Sequence, residues 1–251
     1  MIKPCLELLG FVDEIVVVLD AEKSTDGTER IARRFTDKIY RRKLESFAKQ
    51  KNFGIGKASG EWILVVDADE RVTPALAKEI RATVDDAEDD AYEIPRPEFF
   101  LGRRMRYGAW QEHLIRLIRK SKAKYVRDIH ETFELDGPVG RLRGELWHFS
   151  NRSIMHHFEK LPVYAEVQSN QLLKEGHPPI RTRSLFSVLG KLIWFRLIRK
   201  RGYKDGTAGA IESLYQPFSL FCMYARLWEK QQRPGLPERY QALEKEVLKQ
   251  R

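Results

Sequence analysis

The chain has 251 residues, with 45 Lys and Arg against 36 Asp and Glu, a net charge of +9. That length buries a substantial core and accommodates one α/β domain with a helical extension, and the basic excess, concentrated after residue 95, favours an anionic partner such as a nucleotide diphosphate, an anionic membrane surface or a nucleic acid. The opening MIKPCLELLG lacks the basic start and apolar core of a secretory signal, and no apolar run reaches the roughly 18 residues of a spanning helix, so neither export nor membrane spanning is expected.

In chain order, residues 2–9 read as a short helix and residues 11–19 (FVDEIVVVL) as a buried strand, its second half continuous and β-branched. DAEKSTDGTERIARRF is a polar loop entering a helix that Ser24, Thr25 or Asp26 caps, with Glu29 in the first turn. A short strand at 38–41 and a helix at 46–58 follow. Residues 61–66 (EWILVV) form another buried strand, which delivers DADE to its carboxyl end. Thr73 caps the next helix and Pro74 opens it. Such units predict a largely parallel, three-layered sheet with ligands at the carboxyl ends of its strands.

The acidic run at 85–90 reads as a solvated turn, since it lacks the ligand spacing of an EF-hand. Then come AYEIPRPEFF, the basic loop LGRRMRYG, a strand at 112–119, YVRDIHETFEL and a last strand ELWHF, a β-rich second half. From 151 the pattern is helical, with helices at 163–173, 211–230 and in PERYQALEKEVLKQR, and breaks at 176–179, 202–206 and 234–237. The expected organisation is a catalytic domain over 1–150 and a helical extension over 151–251.

The candidate chemistry starts at Asp67, Asp69 and Glu70. Alternate residues of an extended chain face the same way, so Asp67 and Asp69 can converge on one divalent cation if the strand end stays extended. Mg²⁺ or Mn²⁺ suits oxygen ligands and neutralises a diphosphate leaving group. Asp20 and Asp26 lie in the strand-to-helix loop, where a base, ribose or phosphate can sit, and Asp26 with Gly27 also reads as a cap and tight turn. Lys51 and Asn52 either approach the phosphates or lie on ordinary helix surface. His130 and Glu131 offer an imidazole and a candidate general base, or a polar turn. Arg103, Arg104 and Arg106 read as an anion-facing flap or a solvated charge run. His148, His156 and His157 lack zinc-ligand company and read as core or surface histidines. Cys5 and Cys222 read as buried thiols of a reduced compartment.

Together DEIVVVLDAEKSTDGTERIA, QKNFGIGKASGEWILVVDADERVTPAL, YEIPRPEFFLGRRMRYGAW, LIRLIRK, DIHETFELDGPVGRL, LWHFS and RGYKDGTAGAIESL resemble the family-2 glycosyltransferases of the lipopolysaccharide-core type over nearly the whole chain. The resemblance implies a GT-A fold, a Rossmann-like mixed α/β sheet with a helical C-terminal extension, a UDP-type nucleotide-sugar donor, a Mg²⁺ or Mn²⁺ cofactor and inversion at the sugar carbon. It makes Asp20, Asp26 and Asp67 nucleotide contacts, Asp69 the metal ligand and Glu131 the base, with His130 beside it.

Two departures stand out. The family's usual first strand, which precedes the helix at 2–9, is not represented, so poor folding or weak donor binding is expected. One residue more than usual separates Asp20 from Asp26. The expected acceptor is an anionic lipid-linked glycan of the lipopolysaccharide-core kind, reached from the cytoplasmic face of the inner membrane. The amphipathic, basic segment 185–201 would hold the protein there peripherally. Nucleic acid is not an expected partner. The alternatives are an impaired, noncatalytic membrane- or glycan-binding relative and a nucleotidyltransferase.

Overall fold

The computed structural model describes residues 1–22, 24, 26–108, 112–126, 132–133, 135–151 and 153–249. Helix α1 (Ile2–Leu6) continues as one tighter turn (Glu7–Leu9), then β1 (Val17–Asp20), α2 (Thr28–Ala32), β2 (Ile39–Arg42), α3 (Phe47–Lys57), β3 (Trp62–Leu64), β4 (Glu70–Val72) and α4 (Pro74–Asp85). Eight short strands follow: β5 (Ala91–Arg96), β6 (Glu98–Phe100), β7 (Arg103–Arg104), β8 (Glu112–Arg119), β9 (Tyr125–Val126), β10 (Thr132–Phe133), β11 (Gly140–Arg141) and β12 (Leu146–Asn151). The rest is helical: α5 (Ile154–Lys174), α6 (Thr182–Ile193) with a wider π-type turn at its end (Trp194–Arg199), α7 (Gly206–Lys230) and α8 (Leu236–Leu248). The chain divides into two compact units, Met1–Glu98 with Gln111–Ser150, and Phe99–Trp110 with Asn151–Arg251.

Several boundaries follow from local chemistry. Ser46 accepts from the Lys49 amide (3.3 Å) and starts α3. Thr73 does the same for the Leu76 amide (3.3 Å), with Pro74 at the position where a missing N–H costs nothing.

In the first unit the sheet runs β11-β5-β8-β3, and its alternation divides two apolar layers. Trp62, Leu64, Tyr92, Ile94 and Leu117 face a layer completed by Ile2, Cys5 and Leu6 of α1, Val17 and Leu19 of β1 and Leu76 and Ile80 of α4. Ile63, Ala91 and Ile118 face the other, with Ala48 and Ile55 of α3, Tyr125 and Phe133. Strand period two thus produces the three layers. α3 comes close to β1 at Gly54, where an added Cβ would lie 3.2 Å from Val18.

Two expectations change. The sheet is the mixed one that the resemblance implies and not the largely parallel one that the alternating strand and helix units predict: β8 pairs antiparallel with both β3 and β5, β11 joins β5 in parallel, and β1 and β2 form a separate parallel pair. Within this unit β5 and β8 follow one another without a crossover helix, which only an antiparallel pair allows. Residues 11–16 are also not strand. Val12 turns back to Leu9 (3.2 Å), and the Glu14 carboxylate accepts from the Ser59 amide (2.6 Å) and from Lys38. Pairing therefore begins only at Val17, whose amide reaches the Lys38 carbonyl (2.9 Å).

In the second unit α7 packs against α5 and α6. Ala165, Ser169, Ile180, Met223 and Leu227 are buried, and the buried Arg196 pairs with the buried Glu212. β6 and β7 form a hairpin across Leu101 and Gly102, both at positive φ (48° and 78°). Positive φ at both turn positions matches the twist of tight hairpins.

Gly144 abuts the start of α4 so closely that a Cβ there would lie 2.4 Å from Leu76 Cα and 2.7 Å from Leu76 N. Backbone on both sides would have to move, so Gly144→Ala is expected to cost about 1–3 kcal/mol, read as a lower midpoint in urea unfolding.

Candidate active site around a buried arginine

The carboxyl end of β3 does not stay extended. Val65 donates to the Arg116 carbonyl (2.8 Å), and then the Glu70 amide donates to the Asp67 carbonyl (2.9 Å), closing a turn. Asp67 and Asp69 therefore have different partners.

Arg116, buried on β8, determines the first of these. Its Nη2 lies 2.8 Å from Asp67 Oδ2 and 2.7 Å from Glu70 Oε1, so one guanidinium bridges two carboxylates. Glu70 is fully buried; it also meets Arg96 (3.3 Å), and its other oxygen accepts from the Asp67 amide (2.9 Å). The other oxygen of Asp67 faces Lys51 Nζ at 3.6 Å. Burial pushes the Asp67 acid up, but Arg116 and Lys51 outweigh it and hold the group down at about 2, against an ordinary 3.8. Burial works against the Arg116 charge, yet Asp67 and Glu70 raise its pKa further. Arg71 ties down the turn itself, donating to the carbonyls of Ala68 (3.0 Å), Glu70 and Met1 (2.9 Å).

Asp69 faces the other way. β12 pairs antiparallel with β4, placing His148 opposite Glu70, and the Phe149 amide donates to the Asp69 carbonyl (2.9 Å). His148 Nε2 then lies 3.4 Å from Asp69 Oδ2. Burial raises the Asp69 pKa, but His148 outweighs it and the net shift is downward. Among the described residues no three His, Cys, Asp or Glu side chains gather as a closed metal cage. A carboxylate suits Mg²⁺ or Mn²⁺ that draws its remaining ligands from substrate phosphates and water, and Asp69 is the carboxylate of this turn that faces an imidazole rather than Arg116 and Lys51. Asp67, already facing two cations, is the poorer donor.

The remaining sequence candidates fall as follows. Lys51 is mostly buried and turned to Asp67, its Nζ 5.2 Å from the Tyr125 ring centre. Asn52 is used structurally, bonding both the carbonyl (2.9 Å) and the amide (2.8 Å) of Tyr125. Asp20, at the end of β1, accepts from the Glu22 amide (3.1 Å). Asp26 accepts from the Thr28 amide (3.3 Å) and hydroxyl, and these bonds lower its pKa. This loop borders an open cleft of about 440 Å³ lined by Ser24, Gly27, Glu29, Arg30, Arg33 and Arg41. There Glu29 neutralises Arg33 (2.6 Å) and Arg41 (2.8 Å). His130 and Glu131 lie outside the described residues. Cys5 is buried, which pushes its thiol up to about 11 and leaves it protonated at neutral pH.

Arg103, Arg104 and Arg106 belong to the second unit. Met105 is fully buried between them, and the buried Asp205 accepts from the amides of Arg106 (2.9 Å) and Tyr107 (2.8 Å). Gly108 donates to the Lys200 carbonyl (3.2 Å), so this loop is fastened to residues 200–205. His156 faces Glu159 (3.6 Å), and His157 packs against Phe100 and Tyr215, where burial lowers its pKa.

Arg116, Arg96 and His148 are the site residues that the motif reading passed over. Arg116 carried a signal, a charge inside the apolar strand LIRLIR, which requires a buried partner. His148 carried none until the β12–β4 register placed it.

The carboxylate turn lies at the carboxyl end of a strand of a mixed sheet, the place where α/β sheets bind ligands, and residues 1–147 match the family model described as Glycosyl transferase family 2. The chain belongs to that family and is a glycosyltransferase. It is similar to the lipopolysaccharide core biosynthesis glycosyltransferase LpsC of Rhizobium meliloti, 27% identical over 90% of this chain and 86% of that protein. An uncharacterized glycosyltransferase of Rickettsia typhi is 28% identical over 88% of this chain and 79% of its own length. Among solved structures, the crystal structure of S. aureus TarS 1-349 in complex with UDP-GlcNAc aligns with a TM-score of 0.42 at 12% identity, over 91% of this chain and 86% of that one.

Arg116→Met would leave the buried Glu70 with Arg96, at 3.3 Å, as its remaining cation among the described residues, and about 3–5 kcal/mol of unfolding free energy should be lost in denaturant titration. Because the folded Asp67 pKa lies below its ordinary value, its contribution to stability is present above about pH 4 and lost as pH falls toward 2. Asp67→Asn should therefore show a shallower loss of thermal midpoint across that window than the parent.

Proposed function

We propose that this glycosyltransferase moves a sugar, with inversion, from a UDP-type donor to a hydroxyl of a lipopolysaccharide-core glycan, using the GT-A arrangement. The observation that carries the reading is the Asp67–Glu70 turn, with one carboxylate held ionised by Arg116 and Lys51 and the other left beside an imidazole.

In this reading Asp67, locked as an acceptor, takes a hydrogen bond from the ribose or the base. Asp20 and Asp26 flank the nucleotide from the β1 loop, and Lys51 turns from Asp67 to a phosphate oxygen. Asp69, with His148 positioned against it, would hold Mg²⁺ or Mn²⁺, which when bound would neutralise the departing diphosphate. Glu131 removes the proton from the acceptor hydroxyl, whose oxygen attacks the sugar carbon from the side opposite the leaving group, with His130 beside it. The acceptor class rests on the likeness to LpsC.

The test is UDP release from a panel of UDP-sugars with a core-glycan acceptor, in Mn²⁺ and in EDTA. The parent should turn over one donor only with metal. Glu131→Gln should fall about a hundredfold or more, and Asp69→Ala should lose the metal response. Equal release in EDTA, or unchanged turnover in both variants, would contradict the reading.

A further inference from the structure

Residues 178–204 contain eight Lys and Arg and no Asp or Glu. Within this stretch α6 and its π-type turn pack Leu185, Val188, Leu189, Leu192 and Ile193 inward, half-buried, while Phe186, Trp194 and Ile198 stay 69%, 57% and 53% exposed. Together with Gly190 these fall at intervals of four, a single stripe along the helix.

Arg196 alone among the eight cations is buried, paired with Glu212; Arg181, Arg183, Lys191, Arg199, Lys200, Arg201 and Lys204 are exposed. The next two acids along the chain, Asp205 and Glu212, are 2% and 1% exposed and accept from protein groups. The segment after β7 adds to the same end of the stripe. Gly108 and Arg106 are bonded to Lys200 and Asp205, and Lys204 lies 5.7 Å from the Tyr107 ring centre, with Arg106 and Tyr107 both exposed.

We infer that the second unit docks on an anionic lipid bilayer, with Phe186, Trp194 and Ile198 entering the headgroup boundary and the surrounding cations meeting lipid phosphates. An outward apolar stripe bordered by one sign of charge is the pattern of a helix lying in a membrane interface, where Trp is favoured. Among the described residues no helix is long and apolar enough to cross a membrane. By contrast, α8 exposes Tyr240, Leu243 and Val247 on a helix of mixed charge, Glu238, Glu244 and Glu246 with Arg239 and Lys245, so its apolar residues are not bordered by one sign. Docking is a property of this surface and does not require the transfer reading.

The experiment is flotation of the full chain with phosphatidylcholine vesicles, with or without phosphatidylglycerol, at low and high salt. The parent should float only with the anionic vesicles and release at high salt. Arg199→Gln and Arg201→Gln should each weaken partitioning about fivefold, and Trp194→Ser about tenfold, with circular dichroism melts unchanged because all three side chains are exposed. Asp69→Ala should float like the parent, so that loss of transfer and loss of docking are read separately. Failure to float with anionic vesicles would overturn the inference. So would parent-like flotation of the Trp194 and arginine variants, or self-association that buries Trp194 without lipid.

Discussion

Arg116 enters the interior of the first unit on β8 as a permanent charge, and a buried charge is tolerated only with close, well-aligned partners. Asp67 and Glu70 supply them from the turn that ends β3, so the chain leaves the β8 pairing there and enters β4, which pairs with β12. The consequences spread along the chain. β4 is fixed for pairing with β12, β12 delivers His148 to Asp69, and Thr73 just beyond β4 starts α4. The carboxylate turn is thus held in place without any ligand, the preorganisation that the proposed donor site requires.

The second unit uses the same physics differently. Asp205 spends its charge on two backbone amides, and Arg196 meets Glu212 across the wide turn at 194–199. π-type turns of this kind shift the side-chain register of a helix. Here Arg196 points inward while Trp194 and Ile198 remain outside. Between residues 178 and 212 the two acids, Asp205 and Glu212, are consumed internally while seven of the cations are displayed, so this stretch presents a basic, apolar-striped surface.

Much of this was legible where the signals are local. Ser46, Thr73 with Pro74, the helical breaks near 176, 202 and 234 and the strand at 112–119 all lie where caps, glycines, prolines and alternation put them. The reading failed where distant partners decide. Residues 11–16 look like strand, yet Glu14 is claimed by Lys38 and Ser59, 24 and 45 positions away, and the chain loops. Alternation identified β5 and β8 as strands without saying that they run antiparallel. The DADE motif was evident, but not that Glu70 is an interior counter-ion, because Arg116 lies 46 positions further on. His148 looked like any core histidine until strand register placed it.

Calorimetric titration of UDP in Mn²⁺ into the parent chain and into Asp67→Asn, both shown folded by circular dichroism, tests the assignment of this turn to the donor most directly. Loss of one charge-assisted hydrogen bond should weaken binding about tenfold or more. Equal affinity in the two chains would mean that the nucleotide binds elsewhere and that Asp67 serves only to neutralise Arg116.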